Sequence, residues 1–259
     1  MKEFKVWLRY TNNSFQQVIS RRGLALIFLV GKCLRILMFL MFLNYIFKKS
    51  SGMAGYTREQ IIFFYLTFNL IDSLGQLFYR EVYRFRSLVV SGGLDFVLVK
   101  PINPLIRVLA GGADVLDLIV VGLVGGITLY FGFSHISMSI GGWFVYVIMV
   151  INGLALATAF HILVLALGII STSVDHMVMI YRDLSSMMRI PVDLYSSPVK
   201  FLFTFVIPLG IMLTFPAKAL MGILSRELIV WSLVFGGLSL WLALKIWTLS
   251  LRHYSSASS

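Results

Sequence analysis

Apolar residues dominate six long runs of this chain, near positions 24–46, 60–79, 106–131, 142–170, 199–216 and 228–250, and shorter polar segments separate them. An α-helix rises 1.5 Å per residue, so roughly 20 residues span the about 30 Å hydrocarbon core of a bilayer. Backbone groups in lipid must find partners within their own segment, and the runs are too long for barrel strands, so each predicts a transmembrane helix. The expected fold class is an all-α integral membrane protein of six transmembrane helices, with residues 1–259 forming one transmembrane domain.

The polar positions inside these runs carry the next level of information. Residues 1–20 place Phe4, Leu8, Phe15, Val18 and Ile19 on one helical stripe, with Lys5, Arg9, Asn12, Asn13, Gln16 and Gln17 opposite. That pattern predicts an amphipathic helix in the headgroup layer, a frayed basic tail being the alternative. In the second run, Tyr65, Asn69, Asp72, Gln76, Tyr79 and Tyr83 follow spacings of four and three, which puts them on one face. Lipid penalises such a face, so it is expected to line a translocation path or a dimer seam, or to serve as a polar seam between helices. His161, deep in the fourth run, is a candidate for the same path beside its default reading as a hydrogen-bonded core residue.

Other polar residues in the runs admit plainer readings. Lys32 and Arg35 fall early in the first run, where snorkelling to the interface, or a later helix start, avoids the cost of a buried cation. Asp114 and Asp117 share a helical face, with Arg107 two turns earlier. They lie at the interface if the third span begins near Ala113 and inside the membrane if it begins at Leu105. Gly122 with Gly126, and Gly153 with Ala157, are small-residue steps that let helices approach closely. Between Ser171 and Lys200 the chain turns polar and reads as an inner loop ended by Pro191; Pro208 is expected to kink the fifth span.

Composition agrees with the pattern. Hydrophobic residues make up 59% of the chain, charged residues 13%, and the mean hydropathy is +0.90. A soluble fold of this size needs more charge to cover its surface. Lys and Arg concentrate in 1–23, 80–107 and 171–200 over the alternate loops 47–59, 132–141 and 216–227, which predicts both termini in the cytoplasm. The net charge of +11 is spread over the inner loops without a basic soluble domain, so anionic membrane lipid, and no nucleic acid, is the expected partner. The first run is long, holds two cations and lacks a small-residue cleavage site, so it reads as a retained span. Cys33 is the only cysteine, which excludes an intrachain disulfide and a cysteine zinc site and leaves a packing role. No metal site is expected.

The longest charge-bearing interruption runs from Glu81 to Leu109: Glu81-Val82-Tyr83-Arg84-Phe85-Arg86, then Ser91-Gly92-Gly93-Leu94-Asp95, then Lys100-Pro101-Ile102-Asn103-Pro104. It resembles the loop after the second span of bacterial ABC transporter type-2 permeases. Arg189-Ile190-Pro191-Val192-Asp193-Leu194-Tyr195, Phe205-Val206-Ile207-Pro208-Leu209 and Phe215-Pro216-Ala217-Lys218-Ala219-Leu220-Met221-Gly222 are similar to the fifth-span region of the same family. The resemblance implies a permease subunit of an exporter in the bacterial inner membrane. It also implies an elbow helix over 1–23, a second cytoplasmic loop over 171–200 and an outer re-entrant segment over 217–227.

On that reading residues 80–105 are the coupling loop. Glu81, Arg84, Phe85, Arg86, Ser91, Gly92, Gly93 and Asp95 are its candidate ATPase-coupling residues, with Phe85 as an aromatic knob and Gly92-Gly93 as a tight turn. The partners are cytoplasmic ABC ATPase subunits, which carry ATP and Mg, and a second permease, identical or related. The cargo is expected to be amphipathic or lipid-like, from walls that are aromatic and aliphatic with few charges.

The chain itself has no Gly-Lys-Ser or Gly-Lys-Thr phosphate loop, no His-Glu-x-x-His helix and no Gly-x-Ser-x-Gly turn. It is therefore expected to be a transport subunit and not an enzyme, with no cofactor of its own. The rival class is an ion-coupled secondary transporter using Asp72, or Asp114 and Asp117. A scaffold or channel subunit is a third.

Overall fold

The computed structural model describes residues 2–20, 22–49, 53–136, 139–171 and 174–254. The described residues are helices joined by turns, with one isolated bridge between Met53 and Tyr56. The protein is an all-α multi-pass membrane protein.

Helix α1 (Lys2–Ser20) precedes the long α2 (Arg22–Lys49). Leu8 and Phe15 stay exposed, as do Lys5, Arg9, Asn12, Asn13 and Gln16, so the stripe keeps two faces. Phe4, Gln17, Val18 and Ile19 fall outside the described side chains. Helix α3 (Arg58–Tyr79) starts at a capping box, in which Gln60 N–H donates to Thr57 Oγ1 at 3.3 Å and Thr57 N–H to Gln60 Oε1 at 2.9 Å. It is the central post of the bundle, with Ile61, Phe63, Phe64, Leu66 and Ile71 all buried. A helix apolar on nearly every side needs neighbours on every side.

After α3 come a 3-10 turn (Arg80–Arg84) and two short helices, α4 (Phe85–Val90) and α5 (Gly93–Leu98). The third apolar run is split. Helix α6 (Pro104–Ala110) and α7 (Val115–His135) are separated by Gly111 to Asp114. Gly111 has φ +48°, and a Cβ on Gly112 would lie 2.7 Å from the carbonyl carbon of Tyr10. The break is thus the seat of α1, whose Thr11 Oγ1 accepts from Ala113 N–H at 3.1 Å. The long apolar helix of this run therefore starts at Val115, after the break, and not at Leu105.

Helix α8 (Ile140–Ser171) packs along α12 (Arg226–Arg252), where Asn152 Nδ2 donates to the Ser232 carbonyl at 3.1 Å. Between them the chain differs from expectation. Helix α9 (Val174–Met187) begins beside the loop after α3, with Asp175 3.1 Å from Arg86. It ends near the opposite end of α3, because the Tyr56 hydroxyl donates to Asp193 at 2.8 Å. Residues 53–60 and 191–200 therefore share one end of the bundle. The expected loop 171–200 therefore does not stay at one end: α9 with the residues up to Pro191 runs alongside α3 from one end to the other.

The expected fifth span, 199–216, is correspondingly a bent pair. Ser197–Val206 and Gly210–Leu220 meet at 86°, and comprise α10 (Ser197–Phe201), α11 (Phe215–Leu220) and two π-helical turns, Leu202–Val206 and Gly210–Thr214. A straight helix would separate Lys200 from Lys218 by about 27 Å. Both ammonium groups instead reach Asp193, at 2.6 and 3.0 Å. The pair leaves and returns to the same end of the bundle, so it is a sharply bent hairpin. Its backbone is covered by protein, as non-helical backbone at depth requires: a Cβ on Gly153 of α8 would sit 2.5 Å from the Met212 carbonyl oxygen. Five helices among the described residues are long and apolar enough to cross a membrane, or six if the bent pair is one span.

Candidate translocation cavity

The polar stripe of α3 opens onto a cavity of about 720 Å³ bounded by α2 and α9. Tyr65, Asn69, Asp72 and Gln76 line it, as do Tyr83 beyond the helix end and His161 on α8. Tyr79 does not. It is buried, its hydroxyl paired with Thr158 and its ring 4.6 Å from that of His161. His161 is buried too, and its Nδ1 donates to the Ala157 carbonyl at 2.7 Å. Asn69 Nδ2 donates to the Tyr65 carbonyl at 2.7 Å and Gln76 Nε2 to Asp72 at 2.8 Å, so both amides satisfy themselves along their own helix.

The walls are more charged than the sequence led one to expect. Lys32, Arg35, Arg80, Arg84, Arg182 and Arg189 line the cavity against Asp72, Asp117 and Asp183. Sequence reasoning treated Lys32 and Arg35 as interfacial anchors, and the structure pairs both with carboxylates. Lys32 Nζ lies 2.7 Å from Asp117 Oδ1, and Arg35 lies 3.9 Å from Asp72. Arg80 joins Asp117 at 2.8 Å and also binds Asp114, while Phe28 offers its ring to Lys32 at 4.8 Å and Arg80 at 5.8 Å. Asp117 is 2% exposed, so this cluster ties α2, α3 and α7 together in a dry setting. Asp114 caps α7 by accepting from Leu116 N–H at 2.9 Å. Arg107, expected beside these carboxylates, pairs instead with Glu81 at 3.2 Å and lies 4.3 Å over the Tyr10 ring.

The loop after α3 has a buried and an exposed side. Phe85 is fully buried, its ring 6.4 Å from that of Trp247, so it is an anchor and not the expected knob. Val82, Val89, Leu94 and Val97 are buried with it. Glu81 is 14% exposed and held by Arg84 at 3.6 Å as well as by Arg107. Arg84 and Arg86 are exposed, and so are Ser91, whose Oγ donates to the Ser87 carbonyl at 2.6 Å, Val90, Phe96 and Val99. Phe96, at 71%, is more exposed than Tyr83, the other exposed aromatic of this loop; its place in the helical register after Leu94 could have identified it. Gly92, at φ +71°, makes the turn between α4 and α5, and Gly93 opens α5 with Asp95 in its first turn.

A family model described as ABC-2 family transporter protein matches residues 33–258. The chain belongs to that family. Comparison with curated proteins and with solved structures found no match. An ABC-2 chain is the membrane subunit of a transporter and not its enzyme, so the match covers α2 from Cys33 through α12 and with them the cavity and the loop. Of the small-residue steps, Gly153 and Ala157 are covered closely, whereas Gly122 and Gly126 meet no neighbour within 4 Å.

Proposed function

We propose that this chain is the permease half of an ATP-driven exporter in a bacterial inner membrane, with both termini cytoplasmic, working as a homo- or heterodimer on two cytoplasmic ABC ATPase subunits. ATP and Mg sit on those partners. The cargo is an amphipathic, lipid-like molecule that crosses along the stripe of Tyr65, Asn69, Asp72 and Gln76, with His161 and Tyr79 behind it. The carrying observation is that an ABC-2 chain with apolar outer faces keeps a charged cavity of about 720 Å³ along its central helix. Charges inside a membrane protein persist where they face water or a ligand.

The loop bearing Glu81, Arg84, Phe85, Arg86, Ser91, Gly92, Gly93 and Asp95 couples the ATPase to the bundle. Its exposed side, Arg84, Arg86, Phe96 and Val99, meets the ATPase, and its buried side, with Phe85, transmits the motion. The ion-coupled reading fares less well. Asp72 is engaged by Arg35 and Gln76, and Asp114 and Asp117 by Arg80 and Lys32, so the carboxylates the ion-coupled reading named are all held by cations or an amide.

Co-expression with the ATPase, followed by affinity purification in mild detergent, tests this. Phe96→Asp and Arg86→Glu are expected to lower ATPase recovery by about tenfold while the permease elutes unchanged, the loss expected of one desolvated interface anchor. Flux into vesicles that persists without ATP and collapses with the ion gradient would favour the rival.

A further inference from the structure

The charge balance of the cavity points to what it holds. Lys32 and Arg80 are committed to Asp117, and Arg84 to Glu81. Arg182 and Arg189, on the α9 wall, have no ion-pair partner among the described residues; Arg189 has only the Phe39 ring, 6.0 Å away. Between them in sequence stands Ser185, which shares a face of α9 with Arg182, and Arg189 follows in the turn just past the helix end; all three line the cavity. Ser185 is 7% exposed and lines the cavity, with the Tyr181 hydroxyl one turn back as its neighbour. Its hydroxyl can still donate to an acceptor placed in the cavity. Two guanidinium forks and a hydroxyl donor make a receptor for a tetrahedral oxyanion.

Arg35 faces the same space, held only loosely by Asp72 at 3.9 Å. The cavity lies between α2 and α9, and both helices turn apolar side chains outward at its edge: Leu34 and Met38 on α2, Met179 and Ile180 on α9. A ligand with its charge inside and its chains in that apolar surround fits the geometry.

We propose that the Arg182–Ser185–Arg189 wall binds the phosphate-type head group of an anionic amphiphile. This deepens the transport reading above and rests on it for the assignment of that amphiphile as cargo. The bound anion accepts hydrogen bonds from Arg182, Ser185 and Arg189. Arg35 turns to it from Asp72, which acts as the stand-in anion of the empty state.

The test uses the full-length chain purified in dodecyl maltoside with no ATPase present, and equilibrium binding by native mass spectrometry. Dioctanoyl phosphatidic acid, dioctanoyl phosphatidylcholine and inorganic phosphate are the probes. Phosphatidic acid is expected to bind about tenfold or more tighter than the choline lipid, and Arg182→Gln or Arg189→Gln to remove about that factor. Arg182→Lys keeps part of the affinity, which separates loss of charge from loss of fold, and Asp72→Asn raises it. Equal binding of the two lipids, or an Asp72→Asn variant that binds the anionic lipid less well, overturns the proposal. Inorganic phosphate that binds as tightly as the lipid assigns the wall to a free anion and overturns the amphiphile. Because no ATPase is present, selective binding by a chain that never couples to ATP would sink the transport reading alone.

Discussion

Asp117 is the residue on which the most charge converges. It is 2% exposed and touches both Lys32 and Arg80, so its loss leaves Lys32, 12% exposed, without its carboxylate, while Arg80 keeps Asp114. Breaking a buried pair by removing one partner costs about 3–5 kcal/mol, and access of Lys32 to the cavity lowers that figure here. Asp114 is 14% exposed and shares only Arg80, and an asparagine in its place still caps α7. Asp117→Asn is therefore expected to lower the melting temperature in detergent well below that of Asp114→Asn; the reverse order would show that capping, not the cluster, holds this corner. The sequence showed both carboxylates on one face but paired them with the wrong arginine. Helical register locates Arg107 near them, whereas the Gly111 to Asp114 break turns α6 away and hands Arg107 to Glu81. Phe85 was misread for a related reason: a short polar loop was taken to be exposed throughout, while its side chains alternate between the Trp247 contact and solvent.

The bent hairpin of 197–220 depends on one carboxylate. Asp193 receives Tyr56, Lys200 and Lys218, which join the start of α3 to both arms. Partial burial pushes its pKa up, but the hydrogen bonds from Lys200, Lys218 and Tyr56 outweigh that and hold the carboxyl below its usual range. A depressed folded-state pKa gives stability that is present above the unfolded value, near 4, and is lost as pH falls through the folded value. The clamp is thus expected to be intact at neutral pH and to open only in acid. Asp193→Asn should remove about 2–3 kcal/mol at pH 7, as charge-assisted hydrogen bonds are lost, and abolish the acid dependence. Faster amide exchange in peptides from 197–220, with no change in α12, is the expected signature. Exchange that matches the unaltered protein would mean that packing of Met212 against Gly153 closes the hairpin alone. The five long apolar helices were legible as apolar runs, because lipid and core both demand it. The course of α9 along α3 was not, since Arg182, Asp183 and Arg189 face a cavity and give a hydropathy like that of a loop.

At the scale of the molecule, the loop after α3 touches everything that frames the cavity. Its buried side packs into the core through Phe85, its Arg86 reaches Asp175 at the start of α9, and Arg80 at its root binds the carboxylate shared with Lys32 of α2. A push on the exposed side would therefore be shared by α3, α9 and α2 as one body, because packed elements shift between discrete arrangements and do not deform smoothly. Helices α2 and α9 are the cavity's two sides, so ATP-driven motion of the loop should change access between them. Met179 is 61% exposed and lines the opening, and Cys33 is the single cysteine to be removed. Met179→Cys in a Cys33→Ser background, assembled with the ATPase, is expected to react with a water-soluble maleimide at rates that differ about tenfold between nucleotide-free and ATP-trapped states, the occlusion expected when a closing interface excludes water from a site. The same comparison with Asp175→Asn should flatten the difference, since that change breaks the link between the loop and α9 from the α9 side and leaves the ATPase-facing Arg86 in place. A labelling rate indifferent to nucleotide in the intact complex would mean that the cavity is a static seam between helices, and the coupling assignment of the loop would fall with it.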